Sequence, residues 1–177
     1  EPDIAYTNDI LTASATISDL DSTSLTTQYE WFVNGVLVVG ETSSTLSGTA
    51  YFSKGDTVEV RVTPNDGNND GTPMSDSVAI LNSAPIAPVV LVTPSSPEGG
   101  ADDLVCSISA ESMDADGDTV NYTFSWTVDS VAYSTSETTN YLGDTISGAE
   151  TNEGEAWVCT VATDDDEEVG GGYGEVE

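Results

Sequence analysis

Three aspartates at alternating positions are the strongest candidates for site chemistry in this 177-residue chain. Asp114, Asp116 and Asp118 are spaced two residues apart, and Gly117 lies within the same short segment. Hard cations such as Ca²⁺ take about six to eight oxygen ligands, and such a loop can direct several carboxylates at one centre. Asp and Gly are also ordinary turn residues. The sequence therefore predicts either a weak calcium site, with no cofactor required, or a plain turn.

The residues that usually carry catalysis are scarce. The chain contains no His, and Lys54 and Arg61 are its only basic side chains. Without His the usual general base near neutral pH is missing, and two basic residues provide no clamp for an oxyanion or a phosphate. Paired carboxylates can hydrolyse glycosidic bonds, but the acidic pairs here lie in turn-like segments without an apolar pocket. We therefore predict that the chain is not an enzyme.

The net charge restricts the partners of the chain. It has 32 acidic residues and a formal net charge of −30. Nucleic acid is excluded as a partner because its phosphates must be neutralised by Lys and Arg, and anionic membrane surfaces are excluded for the same reason. No apolar run is long enough to insert into a membrane. We expect a solvated acidic surface, including an exposed acidic hairpin at 164–168.

One sequence unit occurs twice. The stretch YEWFVNGV at 29–36 aligns with FSWTVDSV at 124–131, at an offset of 95 positions. Without a gap, the same offset carries Leu11 onto Cys106. Self-similarity of this kind indicates consecutive copies of one structural unit. The chain is therefore expected to fold as two similar domains.

A proline-containing segment separates the two copies. Pro85 and Pro88 cannot donate backbone hydrogen bonds to a sheet, and they stiffen the connection. The apolar side chains expected to pack against the domain ends are those of Ile86, Val89 and Leu91. We place the boundary at Pro85, which gives domains at 1–84 and 85–177.

Each copy alternates apolar and polar residues. In the first copy the apolar series include Leu11, Ala13, Ala15 and Ile17, then Tyr29, Trp31 and Val33, then Val58, Val60 and Val62. A period of two indicates strands with one buried and one solvated face, as in antiparallel sheets. About seven short strands in some 95 residues is typical of a β-sandwich. The predicted fold is all-β, with two tandem antiparallel sandwiches.

The second copy contains a cysteine–tryptophan–cysteine order. Cys106, Trp126 and Cys159 all fall in strand-like segments. With Tyr-x-Trp-x-Val-Asn-Gly at 29–35, this pattern resembles the immunoglobulin-like superfamily. More narrowly, it is similar to the tandem Ig-like, PKD-like and cadherin-like repeats of large bacterial extracellular surface proteins. The resemblance covers essentially the whole chain and implies immunoglobulin-like sandwiches.

The resemblance also implies a disulfide between Cys106 and Cys159, packed against Trp126. Two separate buried thiols are the alternative. A stable disulfide indicates an oxidising compartment, so we expect an extracellular or cell-surface location. In the first copy, Leu11 and Val60 take the positions of the cysteines. They are expected to form an apolar pair beside the second core tryptophan, Trp31.

The function implied is structural. The chain resembles a stalk, spacer or filament module of an adhesin-type protein, whose partners are neighbouring repeats of the same chain or fibre. The alternative is a module that presents loop residues to a surface glycan or protein. Exposed aromatic residues would be needed for that role, and the candidates are Tyr133, Tyr141 and Tyr173. An N-glycosylation sequon is also present, at 121–123.

Overall fold

The computed structural model of the protein describes residues 1–21, 24–136, 139, 141–167 and, by their backbone, 169–176. The chain divides into two compact units, Glu1–Ser83 (unit 1) and Ala84–Glu177 (unit 2). This division lies one residue before the boundary expected from the prolines. No helix within the described ranges is long and apolar enough to span a membrane.

Unit 1 consists of short strands and one turn of helix. The strands are Ala5–Tyr6 (β1), Ile10–Thr12 (β2), Thr26–Val33 (β3), Val36–Leu37 (β4), Thr45–Ser47 (β5), Thr57–Asn65 (β6) and Met74–Leu81 (β7), and the helix is Gly48–Tyr51 (α1). One sheet has the order β1-β7-β6-β3-β4, and the other pairs β2 with β5. β1 runs parallel to β7, whereas the other pairs are antiparallel.

Unit 2 also consists of two sheets, with a different distribution of strands. Its strands are Val89–Thr93 (β8), Leu104–Ala110 (β9), Asn121–Val128 (β10), Val131–Thr135 (β11), Gly143–Ile146 (β12), Trp157–Asp164 (β13) and Val169–Val176 (β14), with a 3₁₀ turn at Gly148–Glu150. One sheet has the order β11-β10-β13-β14 and the other β12-β9-β8. All of these pairs are antiparallel.

The core of unit 2 joins its two sheets. Cys106 on β9 and Cys159 on β13 form a disulfide with a Cα–Cα distance of 6.4 Å. Trp126 is the strand partner of Cys159, and all three side chains are buried. Other buried core residues are Leu104, Ile108, Tyr122, Phe124, Ile146 and Val161. Each unit is an immunoglobulin-like sandwich, so the predicted fold class is confirmed.

The core of unit 1 is built around Trp31, of which 3% is exposed. Leu11 is equally buried, and Val60 is half-buried against the same cluster. The other buried members are Ala5, Leu46, Phe52, Val58 and Ile80. These side chains come from both sheets, so this unit is also a sandwich.

Strand pairing identifies which residues of the two units correspond. Leu11 pairs with Leu46, and Leu104 pairs with Ile146. Leu46 and Ile146 each precede a Ser-Gly pair at the start of a helical turn. Leu11 therefore corresponds to Leu104. Its predicted equivalence with Cys106 is wrong by two residues.

The residue of unit 1 at the position of Cys106 is Ala13. The Ala13 amide donates to the Ser44 carbonyl at 2.7 Å, so Ala13 lies opposite Ser44 as Cys106 lies opposite Asp144. Val60 does hold the position of the second cysteine, because each is the strand partner of its unit's core tryptophan. A small Ala13–Val60 pair therefore lies where unit 2 has its disulfide.

In the segment that opens unit 2, the buried side chains are not the ones that the sequence predicts. Pro85 and Pro88 are buried. The side chains predicted to pack at the domain ends are instead about half exposed, namely Ile86, Val89 and Leu91. In β8 the alternation places Val90 and Val92 against the core, where they are the strand partners of the buried Ile108 and Cys106.

We predict that the disulfide supplies a large part of the stability of unit 2. It closes a chain separation of 53 residues, which corresponds to about 4 kcal/mol in the chain-entropy model. The double variant Cys106→Ala/Cys159→Val reproduces the Ala–Val pair of unit 1. Urea denaturation followed by tryptophan fluorescence should show a loss of about that size.

The control is wild-type protein unfolded with and without a reductant. Reductant should destabilise the wild type by a similar amount and leave the double variant unchanged. An unfolding midpoint that is the same for oxidised wild type and the double variant would contradict the prediction.

Candidate metal centre

The loop between β9 and β10 brings together the three aspartates predicted as calcium ligands. The backbone amides of Asp116 and Asp118 donate to Asp114 Oδ1, at 2.8 and 3.2 Å. Gly117 has a φ of +83°, a conformation that glycine adopts without steric cost. The Asp114 side chain therefore organises the turn that positions the other two carboxylates.

The three carboxylates converge. One oxygen from each of Asp114, Asp116 and Asp118 lies within 4.8 Å of the others, and each residue is half-buried. Asp114 Oδ2 is shielded from solvent and accepts no hydrogen bond from protein. Like charges this close repel by about 1 kcal/mol per pair even in bulk water. A divalent cation would convert this repulsion into attraction, and carboxylate oxygens are ligands that Ca²⁺ prefers.

The same loop is attached to the first residues of unit 2. The Ile86 amide donates to the Met113 carbonyl at 3.0 Å, and Ser112 Oγ donates to the Ile86 carbonyl. The Ser112 amide in turn donates to the Tyr122 hydroxyl at 3.0 Å. Residues just before the three aspartates thus fix the entry of the chain into the unit. Because of these hydrogen bonds, ordering of the loop also orders this entry segment.

Unit 1 has a related turn with a smaller acidic set. The Asp21 amide donates to Asp19 Oδ1 at 3.0 Å. The pKa of Asp21 is raised, first by its hydrogen bond with Asp19 and then by the negative charge of that residue and of Asp66. The pKa of Asp66 is lowered by the backbone amides of Asn69 and Asn68. In unit 1 the connections after β2 and β6 therefore bring carboxylates towards each other.

One buried carboxylate was not anticipated. Asp165, just after β13, is only 5% exposed and accepts a hydrogen bond from the Glu167 amide at 2.9 Å. The run of acids at 164–168 suggested an exposed hairpin throughout, so this prediction is wrong for Asp165. Thr163 faces inward and is fully buried, and Asp165 follows it on the same face of the chain. This position is the only sequence signal that could have indicated the burial of Asp165.

The aromatic residues considered for ligand binding differ in their surroundings. Tyr133 packs edge-on against Trp157, with ring centroids 4.7 Å apart, and a hydrogen bond with Glu150 raises the pKa of its hydroxyl. Tyr141 is 75% exposed. The side chain of Tyr173 lies outside the described residues. Trp31 and Trp126 are core residues and offer no exposed face to a ligand.

No protein-family model and no curated protein matches the chain. Solved structures that are similar to it over nearly its whole length include the following two. One is a segment of two fibronectin type III domains from chicken tenascin, with 10% sequence identity, coverage of 99% of this chain and 94% of that chain, and a TM-score of 0.42. The other contains fibronectin(III)-like modules of Clostridium thermocellum CbhA, with 14% identity, coverage of 98% and 89%, and a TM-score of 0.32.

We predict that calcium stabilises unit 2 through the three aspartates. Extracellular modules bind calcium at about 10⁻⁴ to 10⁻³ M. With a dissociation constant of about 1 mM, calcium at about 10 mM adds roughly 1.4 kcal/mol of stability. That corresponds to a rise in the melting midpoint of about 5 to 10 °C. Thermal unfolding in calcium and in EDTA measures the difference.

The variant Asp116→Asn removes one ligand charge but keeps the turn, which is held by Asp114. It should lose most of the calcium-dependent shift. The matched control is Asp19→Asn in the related turn of unit 1, which should keep the full shift. Equal midpoints in calcium and EDTA for the wild type, or an undiminished shift in Asp116→Asn, would exclude a site at these residues.

Proposed function

We propose that this chain is a non-catalytic spacer segment of an acidic extracellular or cell-surface protein of the adhesin type. Its partners in this role are neighbouring repeats of the same chain or fibre. The observation that supports the proposal is the short connection between two similar sandwiches. A spacer holds each unit at a defined distance from the next. This role requires a short connection that is anchored at both ends.

Both ends of the connection are held within their own units. On the side of unit 1, Lys54 Nζ donates to Asn82 Oδ1 at 3.1 Å. On the side of unit 2, Pro85 is fully buried and Ile86 is hydrogen-bonded to the loop that carries the aspartates. The anchored residues are separated by no more than Ser83 and Ala84. A connection this short has few backbone torsions in which to bend.

The chemistry of the chain supports an extracellular location. The buried disulfide of unit 2 is typical of proteins that fold in an oxidising compartment. With 32 acidic and two basic residues, the chain also has almost no sites for proteases that cleave after Lys or Arg. The same composition favours solubility at the high ionic strength of many extracellular fluids.

Calcium fits this role as a stiffening ion. Extracellular calcium is in the range where weak sites of this kind are occupied. Because the loop of Asp114, Asp116 and Asp118 holds the entry segment of unit 2, an ion there would order both together. We include calcium in the proposal as a weak structural ligand, not as a cofactor of any reaction.

The alternative role, binding of a glycan or protein, has one observation in its favour. Tyr133 and Trp157 form an aromatic pair, and 41% of Tyr133 is exposed. Aromatic faces of this kind stack on sugars. A glycan array probed with the wild type and with Tyr133→Ala separates the roles, because a spacer gives no signal that depends on Tyr133.

We predict that the two units tumble together in solution. In ¹⁵N relaxation measurements on the full chain, amides of both units should give the same rotational correlation time. A flexible eight-residue Gly-Ser insertion between Ser83 and Ala84 should separate the motions and shorten the correlation time of each unit. This insertion serves as the matched control, since it leaves both cores intact.

The outcome that contradicts the spacer role is specific. If wild type and insertion variant give equal, short correlation times, the native connection imposes no constraint. Calcium adds a second test of the same property. In the wild type, the correlation times of the two units should remain equal when calcium is added. In Asp116→Asn, calcium should not change how the motions of the two units are coupled.

A further inference from the structure

The β10–β11 hairpin of unit 2 differs from the matching β3–β4 hairpin of unit 1. In unit 1 the pairing of the two strands is regular. In unit 2 the register shifts: Ala132 and Ser134 lie opposite consecutive residues of β10, so Tyr133 is an extra residue in β11. A β-bulge of this kind redirects a side chain, and bulges are frequent beside functional sites.

The bulge brings Tyr133 against Trp157, with ring centroids 4.7 Å apart and an angle of 73° between the rings. Trp157 is the strand partner of Val128, as Val58 of unit 1 is the partner of Val33. Val58 is buried, whereas Trp157 is partly exposed and Tyr133 is exposed. Unit 2 therefore presents an aromatic pair to solvent where unit 1 has a buried valine.

Each ring of this pair donates a hydrogen bond to a carboxylate. Trp157 Nε1 donates to Glu155 Oε2 at 3.0 Å, and the Tyr133 hydroxyl donates to Glu150 of the 3₁₀ turn. Glu155 is held in place by Asn152, whose backbone amide and Nδ2 donate to it at 2.8 and 2.7 Å. Donation to an anion makes an aromatic ring richer in electrons, which strengthens its attraction for a cation.

Both carboxylates place negative charge at the aromatic pair. The pKa of Glu155 is lowered, first by the side chain of Asn152 and then by its backbone amide, so Glu155 is ionised at neutral pH. The pKa of Tyr133 is raised, first by its hydrogen bond with Glu150, then by partial burial and by the charges of Glu150 and Glu155. The two carboxylates thus act on the same hydroxyl group.

Unit 1 contains a ring and a carboxylate that already have a cation. Arg61 Cζ lies 4.6 Å from the centroid of the Phe32 ring, and Arg61 Nη1 lies 3.7 Å from Glu30 Oε2. The only basic side chains of the chain, Lys54 and Arg61, both belong to unit 1. Unit 2 therefore has rings and carboxylates at its aromatic pair and no basic side chain of its own to place there.

We propose that Tyr133, Trp157, Glu150 and Glu155 bind the guanidinium group of an arginine side chain on a partner polypeptide. The rings attract the positive charge, and the carboxylates accept hydrogen bonds from its N–H groups. A guanidinium suits this surface better than an ammonium, because it is planar, stacks on aromatic faces and donates in a fork. The proposal is independent of the spacer role, because it requires nothing of the connection between the units.

The test is an NMR titration of the full chain with the peptide N-acetyl-Gly-Arg-Gly-amide. The indole N–H signal of Trp157 should shift and saturate, and the shift should weaken as salt is added. The indoles of Trp31 and Trp126 are buried and donate within the protein, so their signals serve as internal references. No saturable shift of Trp157 would overturn the proposal.

The matched ligand control replaces arginine by citrulline, which has the same shape but a neutral ureido group. The citrulline peptide should bind at least about tenfold more weakly, and a lysine peptide should bind with intermediate affinity. Equal affinities of the arginine and citrulline peptides would show that charge is not recognised, and would contradict the proposal.

Protein variants locate the site. Tyr133→Leu removes one ring and Glu150→Gln removes one charge, and both residues are exposed, so the core should stay intact. Each should reduce affinity for the arginine peptide about tenfold. Glu111→Gln removes a charge from an exposed residue elsewhere in unit 2 and should change affinity little. An equal effect of Glu111→Gln and Glu150→Gln would show attraction by net charge alone, which is not a site.

Two further ligands test the source of the guanidinium group. Methylguanidinium should bind more weakly than the arginine peptide, because it lacks the methylene stem that packs along the rings. If it binds as tightly, the ligand is a small guanidinium compound, and a partner polypeptide is overturned. Methyl glucoside should not shift the signal of Trp157. If it binds more tightly than the arginine peptide, the aromatic pair is a sugar site and the proposal is wrong.

Discussion

The packing of one tryptophan between two sheets is the constraint on which each unit depends. Trp31 and Trp126 are almost fully buried, so each indole N–H needs a partner inside the protein. The Trp31 indole donates to the Ser43 carbonyl at 2.8 Å, and the Trp126 indole donates to Asp144 Oδ2 at 2.9 Å. Ser43 lies just before β5 and Asp144 lies within β12, so each acceptor belongs to the opposite sheet or to the residues that enter it. The tryptophan therefore fixes the spacing of the sheets and the position of one against the other.

The two units fill the space beside this tryptophan in different ways. In unit 2 the Cys106–Cys159 disulfide and strand β8 close it completely. In unit 1 the corresponding residues, Ala13 and Val60, are partly buried against the core and form no covalent link between the sheets. The tryptophan is thus packed beside a covalent bridge in one unit and beside two small apolar side chains in the other.

Much of this could be read from the sequence, but the pairing of β2 could not. Alternation specifies which face of a strand is buried, and a slip of one residue would reverse the faces. A slip of two residues keeps Leu11, Ala13 and Ala15 on the same face, so the pattern fits either alignment equally well. The pairing of Leu11 with Leu46 decides it, and that contact depends on chain far away in sequence. Likewise, the inward direction of Val90 and Val92 depends on their pairing with Ile108 and Cys106, which the alternation of β8 alone does not specify.

The acidic connections show how a chain of such high negative charge remains ordered. Asp19, Asp66, Asp114 and Asp164 each accept a hydrogen bond from the amide two residues further along. A carboxylate held this way stabilises a turn with its own charge, because the backbone N–H groups are oriented towards it. The turn therefore requires no basic partner, which this chain could not supply. What differs at Asp114 is its second oxygen, which is shielded and accepts no hydrogen bond from protein while two more carboxylates lie nearby. Turn formation accounts for the first oxygen of Asp114 but not for the second, and the predicted cation would provide that second oxygen with a partner.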